Sequence, residues 1–82
     1  MDTRIALLGV IVEEKDSIER LNAILHDYFR YIIGRMGIPH AKNDVAVISI
    51  VLDAPNDVIS ALSGKLGMLP GVSAKTIYSK VS

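Results

Sequence analysis

A mixed α+β domain is predicted, ordered β-α-β-β-α-β, with both helices on one face of a four-stranded antiparallel sheet. Three observations carry that expectation. Residues 5–12 and 45–52 are apolar runs rich in β-branched side chains. Residues 18–29 and 58–66 instead place their apolar side chains at helical spacing. Finally, Leu66-Gly67-Met68-Leu69-Pro70-Gly71-Val72 joins an apolar helix end to a last strand-forming run, since proline blocks helix propagation and Pro-Gly marks a turn.

Taken in order, residues 5–12 read as a buried strand, apolar on both of its alternating sets. Glu13 to Lys15 form a charged connection. Asp16 stands where an N-cap belongs, and Glu19, three residues on, completes a capping box. Ile18, Leu21, Ile24, Leu25, Tyr28 and Phe29 form one helical stripe, with Glu19, Arg20, Asn22, His26 and Asp27 off it. Residues 31–37 are expected as a second strand interrupted by glycines, and residues 38–44 as a loop. Residues 45–52 are the clearest strand. Asp53-Ala54-Pro55-Asn56-Asp57 opens the second helix, where proline suits the first turn and Asp57 the positive end of the helix dipole. Val58, Ile59, Leu62 and Leu66 form its inner face, and Gly64 weakens its last turn. Gly67 suits the position just past a helix end, where positive φ is favoured. Residues 72–79 supply the fourth strand.

In this ferredoxin-like arrangement the first and third strands are central. A sheet with one wet face should alternate apolar and polar residues, and neither central strand does. The first divides into Ile5, Leu7, Gly9, Ile11 and Ala6, Leu8, Val10, Val12. The third divides into Val45, Val47, Ser49, Val51 and Ala46, Ile48, Ile50, Leu52. Helices can cover only one set of each pair. The other set is left as an apolar patch of the kind that marks an interaction surface. The expected partner is the chain itself, in a homodimer or homotetramer formed through the sheet.

The 82 residues suit a single domain, residues 1–82, and a domain so small often gains stability by association. No cysteine is present, which excludes disulfides and thiolate metal sites. Nine basic residues balance nine acidic ones, arguing against nucleic-acid binding. Central strands without aromatic residues also lack the platform on which RNA-recognition modules stack bases. No apolar run reaches membrane-spanning length and no secretory signal pattern opens the chain, so a cytoplasmic protein without membrane contact is expected.

Catalytic constellations are missing. His26 and His40 are the only histidines, and no ligand set for a metal accompanies them. Glu13, Glu14 and Asp16 read as a solvated turn and a cap. Ser17, Ser49, Ser60 and Ser63 have no base beside them in sequence. Gly64-Lys65-Leu66-Gly67 ends a helix and so is no phosphate loop. A non-enzyme without cofactor is the expectation. The segment Gly34, Arg35, Met36 and Gly37 is the candidate ligand site, placed between subunits. Its glycines allow close backbone approach, and Arg35 offers a forked donor to a carboxylate or phosphate. The competing reading is an edge strand whose glycines relieve crowding at a subunit contact.

Four motifs carry a family resemblance: Leu8-Gly9-Val10-Ile11-Val12, Ile33-Gly34-Arg35-Met36-Gly37-Ile38-Pro39, Asp53-Ala54-Pro55-Asn56-Asp57-Val58-Ile59, and Ser63-Gly64-Lys65-Leu66-Gly67-Met68-Leu69-Pro70-Gly71-Val72. Over nearly its whole length the chain resembles the iron-only hydrogenase system regulator family of anaerobic bacteria. The resemblance implies a small stand-alone protein of ACT-like, ferredoxin-like fold. It also implies a regulatory role in the hydrogenase system, through ligand sensing or protein binding. Wider relatives are the ACT amino-acid-sensing domains and the nickel-sensing domain of the NikR repressor. The chain departs from both. Glu13-Glu14-Lys15-Asp16 stands where ACT domains usually carry a glycine beside the effector, and Gly37, Pro39 and Asp44 stand near the nickel-ligand positions. Neither the nickel site nor the repressor's DNA-binding arm is therefore expected.

Overall fold

Alternation of side chains along the two central strands sets the architecture. The elements run β1 (Arg4–Val12), α1 (Ile18–Asp27), β2 (Ile32–Lys42), β3 (Val45–Ala54), α2 (Asn56–Gly67) and β4 (Val72–Tyr78), with 3-10 turns at Lys15–Ser17 and Phe29–Tyr31. This computed structural model describes residues 2–80, apart from the side chain of His40. The sheet order is β2-β3-β1-β4 and every pair is antiparallel. β1 and β3 are central, as the ferredoxin-like order requires.

One alternating set of each central strand makes the core. Ala6, Leu8, Val10 and Val12 of β1 lie opposite Leu52, Ile50, Ile48 and Ala46 of β3, and all are buried. Leu21 and Leu25 of α1 and Ile59, Leu62 and Leu66 of α2 cover them, joined by Leu69 and Val72. Complete burial of a leucine or isoleucine side chain contributes about 1.5–3 kcal/mol, so this single layer carries the fold.

The start of α1 differs from the capping-box expectation. Asp16 lies inside the 3-10 turn, and Ser17 is the N-cap without a side-chain bond to the helix. Instead the buried Ser17 hydroxyl donates to the Pro70 carbonyl at 2.7 Å. Glu13 N–H donates to the Gly71 carbonyl at 2.7 Å close by. The β1–α1 connection is thus stitched to the α2–β4 junction, and tertiary bonding displaces the local cap. Ser17→Ala is expected to lower unfolding free energy by about 1 kcal/mol. Urea denaturation measures it, and an unchanged midpoint would show the bond to be energetically silent.

Three further expectations are corrected. Phe29 is not part of the buried stripe: α1 stops at Asp27, and Phe29 projects from the following 3-10 turn, 65% exposed. Residues 38–44 are not a loop. β2 continues to Lys42 through two register shifts, and only Asn43 and Asp44 turn the hairpin, both at positive φ. Pro39 is tolerated because β2 is an edge strand bulged there. Gly67 is the last residue of α2 and has no positive φ; that conformation falls at Gly71, φ 68°.

Candidate functional site

Two surfaces remain once the core is subtracted, one on each side of the sheet. The first is the face away from the helices. Its register places Ile38, Val47, Ile11 and Ser73 in one cross-strand row, and Gly34, Val51, Leu7 and Ile77 in another. Between them lies the row Met36, Ser49, Gly9 and Lys75. Two apolar ribs therefore flank a furrow that is small at its centre, Ser49 and Gly9, with Met36 and Lys75 at its ends. Ile5, Leu7, Ile11, Met36, Ile38 and Ile77 are all more than 40% exposed. Four strands about 4.8 Å apart and seven residues rising about 3.3 Å each give this face roughly 400 Å², well above scattered single exposures.

Gly9 sits at the centre of the furrow without an intrachain reason to be glycine. It has no positive φ, and a Cβ built there would meet only the Lys75 carbonyl oxygen at 4.0 Å. Charges on this face lie at its margins: Lys42 near the hairpin turn, Asp53 towards the end of β3 and Lys75 on the edge strand. An apolar centre with a charged margin is the anatomy of a protein interface.

The second surface is a cleft on the helix side, between the start of α1 and the β2–β3 hairpin. It holds about 600 Å³. Val12, Ile18, Ala46 and Ile48 make it apolar, and Lys15, Asp16, Asn22, Arg35 and Asp44 bring polar groups to it. Arg35 lies opposite the core residue Ile50, hence on the helix side, and its guanidinium donates to Asn22 Oδ1 at 2.7 Å. The same pair borders a neighbouring cleft of about 410 Å³ that runs towards Leu25, His26 and Phe29.

Strand alternation thus divides the segment singled out from sequence. Gly34 and Met36 belong to the open face, whereas Arg35 and Gly37 border the cleft. Sequence reading missed Asn22 and Lys15 as neighbours of Arg35. Helical spacing places Asn22 on the flank of α1, but nothing local shows that β2 runs beside it.

Little else in the described residues carries chemistry. No group of three His, Cys, Asp or Glu side chains is gathered to hold a metal. His26 is exposed and stacks on Phe29, ring centroids 5.8 Å apart. The Lys65 ammonium lies over the Tyr28 ring, 5.0 Å from its centroid. A hydrogen bond with the Tyr28 side chain raises the pKa of that lysine. No described helix is long and apolar enough to cross a membrane.

Comparison with known proteins gives four results. Residues 4–76 match the family model "TM1266-like: Iron-only hydrogenase system regulator, putative". The structure is similar to that of the uncharacterized protein TM1266 from Thermotoga maritima, with a TM-score of 0.91 and 38% identity, covering 96% of this chain and all of the other. The C-terminal domain of the MgtC protein from Mycobacterium tuberculosis shares the fold, with a TM-score of 0.74 at 16% identity, over 96% of this chain and 90% of the other. No curated protein matches.

Proposed function

This chain belongs to the TM1266-like family, and from that premise we propose that it is a non-catalytic regulatory module that works as a homo-oligomer assembled through the open face of its sheet. One observation carries the reading: two apolar ribs flank a glycine-centred furrow on a face that no element of the described residues covers. Burying those ribs against a second copy removes apolar surface from water at roughly 25 cal/mol per Å². A second copy fits because the face is apolar at its centre and carries both signs of charge at its margins, so like charges need not meet. The family description supplies the regulatory context, that of the iron-only hydrogenase system.

Assembly is tested by sedimentation and light scattering. The wild-type chain is expected to be a dimer or tetramer at micromolar concentration. Ile11 and Val47 are cross-strand partners on one rib. Ile11→Lys and Val47→Lys are each expected to give folded monomers, because burying an unpaired charge in the interface is costly while the free face is already wet. A wild-type chain that stays monomeric, or variants that associate as the wild type does, would overturn the reading.

A further inference from the structure

We infer that the cleft between α1 and the β2–β3 hairpin is a binding site for a small monocarboxylate with an apolar body, oriented by Arg35 and Asn22. Such a site lies behind the sheet, away from the face assigned to self-association. It therefore adds a ligand to the regulatory reading without resting on assembly.

A volume of about 600 Å³ accommodates a small organic molecule. Val12, Ile18, Ala46 and Ile48 would contact its apolar part. At the polar edge, Arg35 donates one hydrogen bond to Asn22 Oδ1. A guanidinium carries five N–H donors in a planar fork, so a second edge remains for a bidentate carboxylate. Because the Asn22 carbonyl oxygen is engaged by Arg35, its amide nitrogen offers donors beside the same pair. Lys15 adds a second cation to the lining. Asp16 also borders the cleft, leaving the two cations Lys15 and Arg35 only partly offset, and it opposes a ligand with two negative charges. That balance selects a monocarboxylate over a phosphate or a dicarboxylate.

Gly37 supplies an independent observation. It lies opposite Ile48 on the cleft side, and it has no positive φ. A Cβ built there would meet nothing within 4 Å. Neither conformation nor crowding within the chain calls for glycine at this position. Any side chain at 37 would instead project into the cleft, so the glycine keeps the space open.

The experiment is a two-dimensional amide NMR titration of the full-length protein with hexanoate, 4-methylpentanoate and phenylacetate. Hexanamide and succinate serve as controls. At least one monocarboxylate is expected to shift Gly37, Ala46 and the Asn22 side-chain amide saturably. Hexanamide and succinate should bind about tenfold more weakly or worse. Arg35→Gln is expected to weaken the carboxylate by about tenfold while leaving the spectrum of a folded domain. Gly37→Val is expected to keep or raise the melting temperature, since glycine is disfavoured in strands, yet to abolish the titration. The proposal is overturned if no monocarboxylate gives saturable shifts, if hexanamide matches hexanoate, or if the shifts fall on Leu7 and Ile11 of the open face. Retention of full binding by Arg35→Gln would overturn it as well.

Discussion

Gly71→Ala is expected to remove about 2–5 kcal/mol of folding stability, a large share of the roughly 4–12 kcal/mol typical of a domain this size. Two independent penalties add. Gly71 has φ 68°, and an L-residue with a Cβ pays about 1–2 kcal/mol to sit in the left-handed region. A Cβ built there also falls 2.5 Å from Glu14 Cγ, 2.8 Å from Glu14 Cβ and 2.9 Å from Glu14 N. Glu14 Cγ can swing away, but its Cβ and backbone nitrogen cannot move without the main chain. Next to it, Glu13 N–H donates to the Gly71 carbonyl at 2.7 Å, holding the two segments together. Separating them to admit a methyl group would cost that bond and disturb the neighbouring Ser17–Pro70 bond. Such crowding typically adds about 1–3 kcal/mol. Urea denaturation gives the number, with Gly9→Ala as the comparison, since a Cβ there meets only ordinary contact. A midpoint for Gly71→Ala no lower than that of Gly9→Ala would sink the argument.

That residue also shows where local reading of the sequence reaches its limit. The Pro70-Gly71 turn and the strand after it are legible, because turn chemistry is local. Which glycine takes positive φ is not, because α2 runs one residue further than its glycine suggests and the close approach at Gly71 comes from Glu14, far away in the chain. The inner faces of both helices follow from spacing: Leu21 and Leu25 on one, Ile59, Leu62 and Leu66 on the other. The continuation of β2 through residues 38–42, read as loop, is hidden for a different reason. Two glycines and a proline lower strand propensity, yet β3 supplies a complete hydrogen-bonding edge, and two register shifts absorb the misfit. Asp16 read as a cap because the capping box is a local pattern, whereas the bond from Ser17 to Pro70 spans the domain. The cleft was half legible. Arg35 and Gly37 stand out in the sequence, but their separation from Gly34 and Met36 depends on the bulge at Ile33, which decides which residues face the helices.

The same alternation makes adjacent leucines on β1 behave oppositely, and their substitution separates folding from assembly. Leu8 is fully buried in the core, while Leu7 is 42% exposed on the open face. Leu8→Ala is expected to cost about 2–5 kcal/mol at any protein concentration, through lost burial and the cavity left under α1 and α2. Leu7→Ala leaves no internal cavity. In a dilute monomer its effect should stay within about 0.5 kcal/mol, as for other surface substitutions. At higher concentration the two states diverge. Association stabilises the wild-type fold by mass action, so its melting temperature should rise with concentration. Leu7→Ala should blunt that rise by weakening the rib it shares with Val51 and Ile77. Thermal unfolding of the three proteins over about a hundredfold range of concentration reads both effects at once. If Leu7→Ala costs as much as Leu8→Ala in the most dilute sample, the open face takes part in folding of the single chain, contrary to its exposure here. If wild-type melting does not move with concentration, the ribs are not where copies of this chain meet. If only the wild type and Leu8→Ala gain stability on concentration, the set buried under the helices folds the domain and the set left outside assembles it.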